Sequence, residues 1–112
     1  MERKYVIGLD YGTLSGRAVI VDCDCGEIIA TSVKRYEHGV LESELPSGKT
    51  LPAGEWALQV PQDYMEVLKA VVPDVVKKSG VDKQDIIGIG LDFTSCTILP
   101  VDKNNVPLCM LE

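Results

Sequence analysis

The sequence predicts an α/β domain whose mixed sheet begins with three antiparallel strands and carries one main helix. Three apolar, β-branched stretches follow one another with only short turns between them, which is typical of an antiparallel meander. A later stretch places apolar residues three and four positions apart, as one face of a helix does. A further apolar strand follows that helix. The 112 residues suit a single domain.

The three strands of the meander are predicted over residues 4–10, 16–22 and 27–36. The turn between the first two is rich in glycine, threonine and serine. The second turn contains Gly26, which can adopt a positive φ.

A long surface loop is predicted over residues 37–60, because glycines and prolines interrupt it and no steady period runs through it. Loops of this length are often functional. Residues 43–50 resemble a P-loop, G-x-x-x-x-G-K-[ST], but Ser43 stands at the position of the first glycine. We reject a P-loop, because no apolar strand leads into the segment and no helix-forming stretch leaves it.

The main helix is predicted over residues 61–79. Pro61 fits its first turn, and Gly80 is suited to the position just after its last turn. Pro73 removes one backbone hydrogen bond, which predicts a kink. The apolar stripe consists of Tyr64, Leu68, Val71, Val72, Val75 and Val76.

The last part of the chain is predicted to form strands. Residues 86–93 are one apolar strand, in which Gly88 and Gly90 indicate close backbone approach or tight helix packing. Shorter strands are expected over 98–101 and 107–111, on either side of a turn at 102–105. No internal repeat is expected.

Composition excludes several classes of protein. An apolar fraction of 46% excludes disorder, and a net charge of −6 argues against nucleic acid or an anionic membrane as a partner. No apolar run approaches the roughly 18 residues of a membrane helix. The strand that begins after three polar residues leaves no room for a signal peptide, so we expect a cytoplasmic protein.

The cysteines are expected to be reduced structural thiols. The chain has Cys23, Cys25, Cys96 and Cys109, and His38 is its one histidine. A tetrahedral zinc site would have to draw its ligands from scattered positions. Reduced thiols are the rule in a cytosolic chain.

The first turn carries residues with a clear chemical use. The strand before it ends at Asp10, whose carboxylate can hold a hydrated Mg²⁺. Backbone N–H groups in such a turn, with nearby hydroxyls, can donate to phosphate oxygens, and glycines allow close approach. The turn and the next strand supply Gly12, Thr13, Ser15, Gly16 and Arg17. From the residues alone, an ordinary hairpin with a polar turn explains this stretch equally well.

A second polar group follows the strand at 86–93. Thr94, Ser95, Cys96 and Thr97 stand at its carboxyl end, where α/β sheets tend to bind ligands. Small hydroxyls there suit a polyhydroxylated ligand. The residues alone favour the plainer interpretation, in which the hydroxyls cap the end of the strand.

These motifs resemble those of a known family. The string I-G-L-D-Y-G-T-x-S-x-R-A resembles the first phosphate motif of the sugar kinase, Hsp70 and actin superfamily, and most closely that of the FGGY carbohydrate kinases. Residues 88–97 resemble the sugar-facing strand of that family, and D-F-T-x-C-T resembles its L-ribulose-specific branch. Residues 36–40 and 56–64, the latter as W-x-x-Q-x-P-x-x-[WY], are also similar to family segments.

The resemblance implies a ribonuclease-H-like half-domain and ATP-dependent phosphorylation of a ketopentose. The favoured reaction converts L-ribulose to L-ribulose 5-phosphate in L-arabinose catabolism, with ATP as a substrate and Mg²⁺ as a cofactor. The resemblance also implies that Asp10 binds the metal through water. Further implied roles are phosphate binding by Gly12, Thr13, Ser15 and Arg17 and sugar binding by Thr94, Ser95 and Cys96.

Three alternatives stay open. The chain could belong to a kinase for D-ribulose or D-xylulose, to a non-enzymatic nucleotide switch of the actin or Hsp70 kind, or to a stand-alone phosphate-binding module.

Members of the resembled family are several times longer than this chain. Their catalytic base lies in a later segment, so no catalytic residue is expected within 1–112. We therefore expect an N-terminal domain fragment, with an insertion loop at about 37–60, that is inactive alone. A sugar and ATP are the expected partners of the whole protein. Unpaired sheet edges and uncovered apolar surface predict that the isolated fragment self-associates or is only marginally stable.

Overall fold

The protein is a four-stranded mixed sheet with one long helix on one face. The computed structural model describes residues 3–94 and 98–110. In chain order the elements are β1 (Tyr5–Tyr11), β2 (Ser15–Asp22), β3 (Ile28–Arg35), β4 (Val40–Leu41), β5 (Leu58–Gln59), α1 (Pro61–Ser79), a 3₁₀ helix (Lys83–Asp85), β6 (Ile86–Phe93) and a second 3₁₀ helix (Leu108–Met110).

The main sheet has the strand order β3-β2-β1-β6. The pairs β1–β2 and β2–β3 are antiparallel, as the short turns predicted, and Gly26 has a φ of 72° in the second turn. β6 returns parallel to β1, because the crossover through α1 brings the chain back to the same end of the sheet. The mixed α/β sheet predicted from the sequence is confirmed.

The hydrophobic core lies between α1 and one face of the sheet. Successive strand residues point to opposite faces, so Ile7 and Leu9 of β1 and Ala18 and Ile20 of β2 are buried under the helix. The helix contributes a line of valines four residues apart: Val67, Val71 and Val75. The predicted stripe omitted Val67, and its other members Tyr64, Leu68, Val72 and Val76 are only partly buried beside this line.

The bounds of α1 agree with the prediction. Pro61 occupies the first turn. N–H groups in the first turn have no acceptor within the helix, so the N–H that proline lacks costs the helix no hydrogen bond. The chain leaves the helix at Gly80, whose φ of 69° is left-handed and free of strain for glycine. The helix continues as one element through Pro73.

The loop over 37–60 contains a small ladder of its own. β4 pairs antiparallel with β5, which returns the chain to the start of α1. Within the loop, Glu44 and Thr50 form an isolated bridge around a turn in which Gly48 N–H donates to Leu45 O. Only the two-residue strand β4 leads into this turn, and the next element after it is β5 and not a helix, which agrees with rejecting a P-loop.

The predicted strands over 98–101 and 107–111 are wrong. Val101 forms only an isolated bridge with Pro107, and Leu108–Met110 is a 3₁₀ helix. Asp102 explains the tight turn, because its carboxylate accepts from Asn104 N–H (2.8 Å) and Val106 N–H (3.0 Å). These local bonds hold the backbone in a turn, and Pro107, with its fixed φ, then starts a helical turn instead of a strand.

Candidate functional site

The candidate site lies on the face of the sheet opposite α1. Asp10 of β1 has Arg17 of β2 as its register partner on one side and Asp92 of β6 on the other. The side chains of this face border a cavity of about 420 Å³. Its lining consists of Gly8, Leu9, Asp10, Arg17, Val19, Gly90, Leu91 and Asp92.

A repeated pentapeptide builds this site. Residues 7–11 read Ile-Gly-Leu-Asp-Tyr and residues 89–93 read Ile-Gly-Leu-Asp-Phe, and the two segments pair in register along β1 and β6. This corrects the expectation that the chain has no internal repeat. Asp92 was not predicted to belong to the site, although the repeat pointed to it.

The charges of the site fit a divalent cation. Neighbouring strands lie about 4.8 Å apart, so the carboxylates of Asp10 and Asp92 stand side by side, with Arg17 next to Asp10 only. Two adjacent carboxylates repel each other unless a cation lies between or above them. Mg²⁺ favours one or two carboxylates together with waters and phosphate oxygens. Exposed carboxylates at the mouth of an open cavity provide that combination.

The turn between β1 and β2 stands at the end of the same cavity wall. It is closed by a hydrogen bond from Gly12 N–H to Ser15 O of 2.9 Å. Thr13 is exposed and Ser15 is half-buried. A Cβ on Gly12 would lie 3.3 Å from Ser15 O, which explains the glycine by close approach rather than by a positive φ.

Gly16 has a different function from the one its position in the turn predicted. Its φ is not positive, and it lies on the helix side of β2, buried under α1. A Cβ there would meet Val67 Cγ1 at 2.4 Å. Gly16 therefore permits close helix packing and does not approach a ligand on the opposite face.

Gly88 and Gly90 also differ from the prediction. Added Cβ atoms at these two positions would meet nothing within 4 Å, so tight helix packing does not explain them. Gly90 instead borders the cavity beside Asp92. The absence of side chains leaves room above the carboxylates.

Thr94 links the parallel strands β1 and β6 where both end. Its hydroxyl donates to the carbonyl of Tyr11 over 3.3 Å. Ser95 and Cys96, the other predicted sugar-binding residues, lie outside the described residues. Sugar binding by these three residues stays a prediction.

An aromatic cluster lies on the helix side of the same strand ends. Tyr11 stacks on Phe93 with 4.8 Å between ring centroids, and Tyr64 meets Tyr11 and Tyr36 edge to face. Burial, followed by the nearby Tyr64 and Tyr11, raises the pKa of Tyr36 to about 12. Burial also raises the pKa of Tyr11 and that of Tyr64. These hydroxyls therefore stay protonated donors at neutral pH.

A second cluster of possible metal ligands lies at the start of α1. Potential ligand atoms of Glu37, His38 and Asp63 all lie within 4.8 Å of one another. Both oxygens of the buried Asp63 carboxylate already have donors, however: His38 N–H at 3.1 Å and His38 Nδ1 at 2.8 Å. This arrangement ties residue 38 to the first turn of the helix, where a carboxylate is favourable.

Beside the aromatic cluster the apolar side of β6 is uncovered. α1 lies over β2 and β3, so three β6 residues of this face remain 45–61% exposed: Ile89, Leu91 and Phe93. They border an apolar groove of about 510 Å³ together with Tyr64 and Leu68 of α1.

Cys23 and Cys25 are exposed free thiols in the turn after β2.

The fold and the site together define a ribonuclease-H-like α/β domain with a polar site at the carboxyl ends of its parallel strands β1 and β6. The model of the N-terminal domain of the FGGY family of carbohydrate kinases matches residues 5–111, and the chain belongs to this family.

Two ribulokinases are similar to this chain over nearly its whole length. A ribulokinase of Halalkalibacterium halodurans is 55% identical over 111 residues, which cover 99% of this chain and 20% of that protein. A ribulokinase of Geobacillus thermodenitrificans is 54% identical over 98% of this chain and 19% of its own length. The chain thus spans about one fifth of the length of these curated relatives.

A solved structure has the same fold. The crystal structure of gluconate kinase from Lactobacillus acidophilus superposes with a TM-score of 0.72 at 19% identity, over 95% of this chain and 18% of the other.

Within the described residues, no helix has the length and apolar character needed to cross a membrane.

Proposed function

We propose that this chain is the N-terminal domain of a longer kinase polypeptide that transfers the γ-phosphoryl group of Mg-ATP to a ketopentose. The proposed substrate is L-ribulose and the product is L-ribulose 5-phosphate. The observation that carries this proposal is the 55% identity with a ribulokinase over 99% of the chain. The D-F-T-x-C-T segment adds support for a ribulose-type sugar.

The face that carries Asp10, Arg17 and Asp92 provides the charges that phosphoryl transfer requires. Such catalysis depends mainly on positioning and on charge stabilisation. In the proposal, N–H groups of the turn and the hydroxyls of Thr13 and Ser15 hold phosphate oxygens, and Arg17 neutralises phosphate charge. Asp10, with Asp92 beside it, holds a hydrated Mg²⁺, which supplies positive charge to the phosphates when bound.

The sugar is proposed to lie at the carboxyl end of β6, against Thr94, Ser95 and Cys96. The reacting sugar hydroxyl forms the new bond to phosphorus as the bond to the ADP oxygen breaks, and its proton passes to a carboxylate base beyond residue 112. The whole protein is proposed to act in the cytoplasm, in L-arabinose catabolism.

The test is ADP release by the full-length polypeptide that carries this chain. Mg-ATP is supplied with L-ribulose, D-ribulose, D-xylulose, glycerol or no sugar. The proposal expects fast turnover with L-ribulose and little without sugar. Preference for another of these sugars would retain the kinase but reject the substrate. Hydrolysis that does not depend on sugar would reject the kinase and favour a nucleotide switch.

A further inference from the structure

The carbonyl groups of the turn between β1 and β2 are each held by a separate donor. Gly12 O accepts from the Tyr36 hydroxyl at 2.7 Å, and Thr13 O accepts from Gln59 Nε2 at 2.9 Å. Leu14 O accepts from the backbone N–H of Tyr36 at 3.0 Å. Three consecutive peptide groups are therefore fixed from outside the turn.

Fixing these carbonyls also fixes the amides that follow them. In a trans peptide the C=O of one residue and the N–H of the next point to opposite sides of the chain, and no described peptide bond is cis. The N–H groups of Thr13, Leu14 and Ser15 therefore point away from Tyr36 and Gln59. Amides held in one orientation are the donors that an anionic group requires.

The two donor side chains are themselves anchored by one helix residue. Tyr36 is 8% exposed, and its ring meets the Tyr64 ring edge to face, with 5.4 Å between centroids. The Tyr64 hydroxyl donates to Gln59 Oε1, which leaves the Gln59 amide nitrogen directed at Thr13 O. Tyr64 belongs to the first turns of α1, so the helix, the end of β3 and the loop strand β5 converge on the turn.

We propose that Tyr36 and Gln59 are positioning residues that orient the amides of Thr13 and Leu14 for nucleotide phosphate, because their side chains hold the carbonyls of Gly12 and Thr13. The inference rests on the proposed kinase function. Gln59 lies at the end of the 37–60 loop, so the inference also assigns a function to that loop. The β4–β5 ladder of the loop positions Gln59 as a hydrogen-bond donor to the turn between β1 and β2. Neither side chain is proposed to touch the nucleotide.

Two substitutions in the full-length polypeptide test this. Tyr36→Phe keeps the ring and removes the hydroxyl donor. Gln59→Glu keeps the acceptor for Tyr64 and replaces the donor to Thr13 O by a second oxygen. The matched control is Tyr11→Phe, because that hydroxyl belongs to the same aromatic cluster but donates to Tyr64 O at 3.2 Å.

The expected result is a change in nucleotide affinity alone. Losing one hydrogen bond of this kind raises the KM for Mg-ATP and the Kd for ATP about five- to tenfold, while the KM for sugar stays within about twofold. Tyr11→Phe lowers the melting temperature without changing either constant for ATP. A residue that served only stability would lower the amount of active protein and leave both KM values unchanged.

The outcomes separate this inference from the proposed function. If the folded variants Tyr36→Phe and Gln59→Glu bind ATP as the wild type does, the inference is overturned. Should Tyr36→Phe not fold, Gln59→Glu decides, since Gln59 is only half-buried. A wild type that binds ATP but phosphorylates none of the sugars rejects the proposed function, and the ATP Kd values still test the positioning. A wild type that binds no ATP overturns both.

Discussion

Gly16 lies so close beneath α1 that a Cβ at this position would stand 2.4 Å from Cγ1 of Val67. Val67 is 1% exposed and leads the line of valines that seals the core. The glycine thus sets how closely the helix approaches β2. Arg17, which follows it, faces the candidate site on the opposite side of the sheet.

We predict that Gly16→Ala destabilises the chain by about 1–3 kcal/mol, because the added methyl group overpacks the core. Urea unfolding followed by circular dichroism measures the change. Gly88→Ala is the matched control, since a Cβ there meets nothing within 4 Å. The control is expected to change the free energy of unfolding by less than about 1 kcal/mol.

Adding Val67→Ala to Gly16→Ala is expected to restore part of the lost stability, because it removes the atoms that clash. Equal stability of Gly16→Ala and Gly88→Ala would show that the close approach of the helix has no energetic weight.

Alkaline pH is predicted to weaken the fold through the buried tyrosines. Tyr36 binds its proton more tightly in the folded chain, with a pKa of about 12, than at its ordinary value of 10.0. The stability that comes from the neutral phenol is therefore complete below pH 10 and is lost as the pH rises through about 12. Tyr36→Phe should make the fall in unfolding free energy between these pH values shallower.

The measurement is urea unfolding at a series of alkaline pH values, with tyrosinate absorbance recorded in parallel. Trp56→Phe is the control, because Trp56 is partly exposed and its N–H donates only to Pro52 O within the loop. An unaltered alkaline profile in Tyr36→Phe would contradict the assignment.

Asp10→Asn is predicted to reduce kcat/KM of the full-length polypeptide by about two orders of magnitude, the scale on which one preorganised charge contributes to catalysis. The concentration of Mg²⁺ needed for half-maximal rate should rise as well, because one carboxylate near the phosphates is lost. Asp92→Asn is expected to act in the same direction.

Asp24→Asn serves as the control for this pair. Asp24 is an exposed carboxylate in the turn after β2, at the opposite end of the sheet. Rates for Asp10→Asn close to those of Asp24→Asn would remove Asp10 from the proposed site.

The isolated chain is predicted to self-associate through the apolar side of β6. Ile89 is 54% exposed in the groove beside α1, and surface of this kind is costly to leave in water. Sedimentation velocity over a range of concentrations should show a growing dimer or larger species. Ile89→Lys should abolish it.

Val33→Lys is the matched control, because Val33 is 52% exposed on β3, at the other edge of the sheet. It should leave the association intact. A wild-type chain that stays monomeric at high concentration would refute the prediction, and association abolished only by Val33→Lys would move the contact to β3.

Sequence patterns predicted the elements whose signals are local. The meander, the helix over 61–79 and the strand over 86–93 were all found, since short turns, a capped apolar stripe and an apolar run determine them directly. The prediction of a strand over 107–111 was wrong, because Asp102 and Pro107 impose turns that a hydrophobicity pattern does not reveal. The purpose of Gly16 could not be predicted, because it depends on which helix residue packs above it.

The site was predicted in part for the same reason. Asp10 and Arg17 belong to one hairpin, so their proximity follows from the local sequence. Asp92 is far along the chain and reaches Asp10 only through the parallel pairing of β6. The repeated pentapeptide was the available signal, since equal segments in adjacent strands can align their carboxylates.

The parallel pairing of β1 with β6 also determines the order in which the site can assemble. The hairpin of β1 and β2 closes over a very short turn, and hairpins form in about 1–10 μs. β6 begins only at Ile86, so its pairing must await closure of a far longer loop and the docking of α1. The turn between β1 and β2 is thus an early folding product, whereas Asp92 arrives late. During synthesis, the nascent chain would present an incomplete half-site until the strand at Ile86–Phe93 has left the ribosome.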